Sequence, residues 1–233
     1  MDVKVSIAAI KDAITKSAAE RTSPEVISAA YAVVHLIGGV LLASARLLGA
    51  AGPFGMAAVA ASGAGLNGVA ALIGAAIGYI ISCGLAGSIR YLAAIVLVYT
   101  ISFAFQDTKL ASKSVFAPAT AAVSALSTGI LSSFTSVFTQ APAAAVVLIE
   151  TVFSFGGCWF FREAMSSRER TTESEELRYA GSVLITAAVL LMAVSQIEIF
   201  GAISLGRLAA VLVVMTCTCL LYTSDAADEA RSV

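Results

Sequence analysis

A chain of 233 residues that is 59% hydrophobic and 12% charged, with a mean hydropathy of +0.93, departs from soluble domains, which carry about 25% charged residues. That balance excludes an ordinary soluble enzyme and points to an integral membrane protein. The net charge of −1 carries little by itself, because the placement of Lys and Arg along the loops is what orients such a chain; no nucleic-acid partner is expected.

The N-terminal segment, residues 1–25, alternates charges (Lys4, Lys11, Lys16 and Arg21 against Asp2, Asp12 and Glu20) with a stripe of Val5, Ile7, Ala8, Ile10 and Ile14. It suits a short amphipathic helix on a membrane or a partner, and it is too acidic for a secretory signal. Ser23 and Pro24 have the residue types of an N-cap and a first turn, with Glu25 favourable against the helix dipole. The first span follows at 26–45, closing on Arg46 before a break at Pro53.

From Phe54 to Gly87 there is no charge, and a single helix over that length would measure roughly 50 Å against a hydrocarbon core of about 30 Å. Two spans, 53–62 and 69–85, are more economical, the first being short. The fourth span is expected at 91–105, followed by a polar loop with Lys109 and Lys113, a fifth span at 115–130, and a sixth at 141–161. The loop from Arg162 to Arg178 is the most charged of the chain; within it Thr172 and Glu175 have the spacing of a capping box ahead of a seventh span at 179–197. An eighth begins at Leu208 and is cut short. The fold class is therefore all-α, a polytopic transmembrane bundle of about eight spans over 26–218.

The last fifteen residues, 219–233, read CLLYTSDAADEARSV, which looks like a sequencing-library adapter translated in frame. Such a scar does not report on structure, and the gene is expected to continue past Thr218.

Orientation follows from the loops. With two crossings between Pro53 and Gly87 and the N-terminus in the cytoplasm, ten basic residues (Lys4, Lys11, Lys16, Arg21, Lys109, Lys113, Arg162, Arg168, Arg170 and Arg178) face inward, and three (Arg46, Arg90 and Arg207) face outward. A single crossing there would divide the same residues almost evenly, so the positive-inside bias selects the larger number of spans.

Three ionisable residues lie in or near spans: His35, Arg46 and Glu150. Intramembrane charges are costly and read by default as ion or substrate contacts. The structural alternatives are a neutral helix-to-helix link for His35, a protonated carboxyl or a bond to a neighbouring Ser or Thr for Glu150, and a snorkelling side chain for Arg46. Gly74 and Gly78, with Ala71 and Ala75, put small residues on one helix face and allow close backbone approach, for packing within the chain more than for a dedicated dimer interface. Cys83, Cys158, Cys217 and Cys219 have no metal-ligand spacing and read as small buried hydrophobes. One histidine and aspartates limited, before Cys219, to Asp2, Asp12 and Asp107 leave no catalytic or metal-binding constellation. The loop carrying Arg162, Arg168, Arg170, Glu175, Glu176 and Arg178 suits either a solvated connector or a cytoplasmic docking surface.

The order of LLASARLLGAAGPFGMA, the span with Glu150 and then FSFGGCWFFREAM, the charged loop with SEELRYAGSVLITAAVLLMA, and IFGAISLGRLAAVLVV resembles the N-terminal membrane region of the stage II sporulation protein E family. Arg46, Pro53, Phe54, Glu150, Glu175, Glu176 and Arg207 fall where that family tends to have such residues. The resemblance implies the anchor of a type 2C, metal-dependent serine phosphatase of endospore-forming bacteria. In that family the enzyme acts on a phosphorylated anti-anti-sigma factor, which releases the forespore sigma factor. The lipid bilayer is a partner by virtue of the spans themselves, and packing among small-residue faces such as that of Gly74 and Gly78 suits self-association; the resemblance adds a division-ring protein at the polar septum. No phosphatase residue can be carried over: the implied manganese ligands would lie past Thr218, so no cofactor and no activity are expected in this stretch. A small-molecule transporter or permease subunit is the alternative, with a structural membrane scaffold as a third reading.

Overall fold

The computed structural model describes residues 24–47, 51–135, 141–166, 172–195, 198–199 and 203–204. Residues 1–23, Arg168, Arg170, Arg207, Cys217, the eighth span and the adapter-like tail lie outside them. Six helices make up nearly all of what is described: α1 (Pro24–Ser44), α2 (Pro53–Ser62), α3 (Leu66–Ala104), α4 (Phe116–Thr135), α5 (Ala141–Ala164) and α6 (Glu173–Val194). Beyond α6, a ribbon of two-residue strands, β1 (Glu198–Ile199) and β2 (Ile203–Ser204), pairs antiparallel with Glu198 opposite Ser204. Among the described residues four helices, α1, α3, α5 and α6, are long and apolar enough to cross a membrane.

At 39 residues, α3 is too long for one crossing, and it resolves the difficulty by folding back on itself. Gly84 sits at φ 68°, ψ 168°, inside an otherwise helical run. The rings of Tyr79 and Tyr91 then stack at 4.7 Å, and Gly68 faces Tyr99. One partner number rises as the other falls, so the two arms, 66–83 and 85–104, are antiparallel. Each arm is roughly 27–30 Å long, about the thickness of a hydrocarbon core. The expected loop between Leu85 and Tyr91 is therefore replaced by helix, with the reversal concentrated at one residue. A backbone at that φ and ψ is essentially glycine's alone, and nothing lies within 4 Å of where a Cβ would stand. Gly84→Ala is thus expected to cost about 1–3 kcal/mol through backbone strain, with no steric component. A thermal unfolding comparison with an alanine variant of exposed Gly87 in the same helix checks it.

The first arm of α3 runs parallel to α1. Gly74 abuts the Leu36 carbonyl and Gly78 the Val40 carbonyl, the contacts advancing four residues on both helices. From the other side Gly39 faces Ala71 and Ala75. Without Cβ atoms the two backbones come into direct contact, and dispersion replaces the hydrophobic driving force that lipid cannot supply. The Gly74 and Gly78 face is consequently occupied inside the chain.

Ten-residue α2 is too short to cross a bilayer and is buried from Pro53 to Ala60. It packs against α1, α3, α4 and α5, with Phe54 set between Phe153, edge-on at 6.2 Å, and Phe161. On α4 the hydroxyls of Thr120, Thr128, Ser132 and Ser133 bond back to carbonyls one turn earlier. That lowers the cost of so many polar residues in a packed helix. The capping box expected at α6 is not made: Thr172 is the N-cap with extended backbone but no side-chain cap bond. Its carbonyl instead accepts from the Glu175 and Glu176 amides. The helix begins at Glu173, six residues earlier than expected, because the three acids of its first turn favour the positive end of the dipole.

Candidate functional site: a buried ion pair at the head of a short helix

The polar centre of the bundle is built around α2. Its N-terminus has no side-chain cap, since Gly52 precedes it, and Pro53 at the first position removes one of the orphan amides. Partners therefore arrive from other helices. Glu150 on α5 accepts the Gly52 N–H at 3.3 Å. The Tyr79 hydroxyl from α3 accepts the Met56 N–H at 3.2 Å and donates to the Gly52 carbonyl at 2.5 Å. The Ser154 hydroxyl on α5 donates to the Pro53 carbonyl at 3.3 Å. Tyr79 is fully buried, and its hydroxyl bridges the Met56 amide and the Gly52 carbonyl, the first donor and acceptor of the helix.

Glu150 is 1% exposed. The Arg90 guanidinium, from the second arm of α3, reaches both carboxylate oxygens at 2.6 Å, and the Tyr91 hydroxyl donates to Oε1 at 2.6 Å. The same guanidinium lies 4.6 Å from the centre of the Tyr91 ring, which in turn stacks on Tyr79. A buried carboxylate is tolerable only where charge and hydrogen bonds replace its lost water. At this site a cation, a phenol, a backbone amide and the dipole of α2 all converge on it.

These placements correct several expectations. Glu150 is held by Arg90, Tyr91 and Gly52 rather than by a neighbouring Ser or Thr. Arg90 is not an outer-loop residue: it is helical, six positions past Gly84, and half-buried. Arg46 donates to the Ser82 carbonyl at the end of the first arm of α3, where the reversal at Gly84 leaves a helix C-terminus that a cation satisfies. His35 joins helices, its Nδ1 lying 2.8 Å from the Ser62 hydroxyl at the end of α2. His35 and Glu150 thus bracket the short helix at opposite ends and do not meet.

The docking-loop residues divide. Arg162 lies in the last turn of α5 and donates to the Ser114 carbonyl at 3.2 Å. Arg178, in α6, pairs with Glu163 at 3.0 Å. Glu175 and Glu176 are in the first turn of α6.

Sequence reasoning singled out Glu150 and missed Arg90, Tyr91, Tyr79 and Gly52. One signal was available: an intramembrane carboxylate demands a cation, and Arg90 lies between apolar runs beside a tyrosine able to donate. Tyr79→Phe isolates the bridging role of the hydroxyl. Leaving the buried Met56 amide and Gly52 carbonyl without that partner is expected to cost about 1–3 kcal/mol, measured by unfolding of the purified chain in detergent. Among the described residues no three His, Cys, Asp or Glu side chains converge to hold a metal. No protein-family model, curated protein or solved structure matches the chain.

Proposed function

We propose that the chain is the membrane anchor of a stage II sporulation protein E-like serine phosphatase, a bundle of about eight passes with its N-terminus in the cytoplasm, the second pass being the segment through α2, whose helix alone is too short to span. The observation that supports an anchor over a transporter is the saturation of Glu150. Its carboxylate is bonded to Arg90, Tyr91 and Gly52, which suits a fixed strut better than a site that must bind and release a solute. Among the described residues no cluster of His, Cys, Asp or Glu fits manganese, which on this reading would belong to a phosphatase domain past Thr218. The anchor would hold that domain at the septal membrane against its phosphorylated anti-anti-sigma substrate. Self-association, expected from the small-residue faces, would have to use a face other than Gly74 and Gly78, because α1 covers that one.

A second reading, a transporter, has one observation in its favour. A ten-residue broken helix with its N-terminus against a charged group is an arrangement found at substrate sites in transporters.

Sequencing the intact locus across the codon for Thr218 separates the two. A frame that continues through two more spans into an aspartate-rich soluble domain, with manganese-dependent serine phosphatase activity in the expressed protein, is the expected result. A stop codon directly after the eighth span overturns it and moves the transporter to first place.

A further inference from the structure

The connector between α3 and α4, residues 105–115, is neither a loose loop nor a helix. Its backbone closes a chain of four-residue turns, the amides of Gln106, Thr108, Ala111, Lys113 and Phe116 donating to the carbonyls of Phe103, Phe105, Thr108, Leu110 and Lys113 in that order. The Thr108 and Ser112 hydroxyls take up the Phe105 and Lys109 carbonyls. The segment therefore satisfies much of its own hydrogen bonding, a requirement that grows with proximity to hydrocarbon.

Its side chains are mixed in a particular way. Phe105, Leu110 and Val115 are exposed, as is Phe103 just before them, while Lys109 and Lys113, one helical turn apart in number, are exposed beside them. Arg162 is brought to the same end by its bond to Ser114, and Trp159 stands one turn before it on α5, as aromatic residues do at membrane interfaces. Asp107 is the one acid of the connector, and the neighbouring carboxylate of Glu163 is engaged by Arg178.

We infer that this connector lies flat in the membrane interface and binds the headgroups of anionic phospholipids through Lys109, Lys113 and Arg162. Its exposed apolar residues enter the acyl boundary, and the cations sit at the level of the phosphates. The combination favours lipid over a soluble protein partner: the exposed apolar side chains alternate with lysines along a segment that follows directly on α3, a helix apolar and long enough to cross a membrane, so both groups meet the bilayer surface together. The inference rests on the membrane reading of the bundle but not on the phosphatase reading.

The test uses the full chain reconstituted in vesicles of equal parts phosphatidylglycerol and phosphatidylcholine. Phospholipid retained after mild detergent extraction is then measured by native mass spectrometry. Enrichment of phosphatidylglycerol is expected, and K109Q/K113Q is expected to reduce it by about fivefold per lysine, the factor given by about 1 kcal/mol for each basic residue near an anionic surface. K109R/K113R, which preserves the charge, should retain the enrichment, and thermal unfolding of each variant shows that the bundle itself is intact. Equal retention of the two lipids, or enrichment unchanged in a folded K109Q/K113Q, overturns the inference. So does displacement of phosphatidylglycerol by inorganic phosphate, which would make the patch a general anion site. Failure of the chain to insert at all would instead count against the membrane reading.

Discussion

Glu150→Ala is expected to destabilise the bundle by about 3–5 kcal/mol, the range for removing one partner of a buried ion pair. Arg90 would be left without its counter-charge, and Tyr91 and Gly52 would lose an acceptor. Glu150→Gln should cost less than alanine, because an amide keeps one acceptor for Tyr91 or Gly52 while giving up the charge. The decisive comparison is a double-mutant cycle. Arg90→Met and Glu150→Met should each be about as damaging as Glu150→Ala, whereas the two methionines together should recover much of the loss, since well-packed apolar pairs often replace buried ion pairs at little cost. Equilibrium unfolding in detergent or in a bilayer reads all four corners. Additive effects would mean that the two side chains do not act as a pair.

The second large effect is expected at the contact between α1 and α3. A leucine at Gly74 would drive its Cβ into the Leu36 carbonyl, and one at Gly78 into Val40 and Ala43. Inserting methylenes into a well-packed site ordinarily costs about 1–3 kcal/mol, occasionally more. The obstacle in this contact is backbone on both sides, so the upper part of that range or beyond is expected. The readout is loss of the folded monomer, followed by unfolding and by protease sensitivity near α1. Exposed Ile77→Leu on the same helix is the control and should be neutral. Were the glycine face instead an interface between copies, monomer stability would be unchanged while the dimer fraction fell.

Both predictions concern contacts that the sequence only partly announces. The helix class, the boundaries of α1, α2 and α5 to within a few residues, and the small-residue face of α3 follow from residue type and spacing. Apolar length sets what can cross a bilayer, proline and glycine set where helices start and stop, and a Gly-x-x-x-Gly spacing marks a close approach wherever its partner comes from. Glu150 was conspicuous for the same kind of reason: its cost in hydrocarbon depends on the residue and its surroundings being apolar, both visible in one dimension.

The partners were not legible, because they depend on how the chain turns. Arg90 reads as an outer-loop residue so long as 86–90 is taken to be a loop. Once Gly84 concentrates the reversal in a single residue, 85–104 stays helical, and Arg90 and Tyr91 swing to face α5 sixty residues along the chain. Arg46 likewise finds a carbonyl that exists as a free acceptor only because the helix stops at that turn. By itself the sequence determined an apolar, all-helical protein with a carboxylate needing a partner. The tertiary structure decided which cation and which phenol meet it, and that a further contact is the amide at the head of a helix too short to cross a bilayer. The physical reason is that hydrophobic length and residue size are local properties of the chain, whereas satisfying a buried charge is a property of the packed assembly.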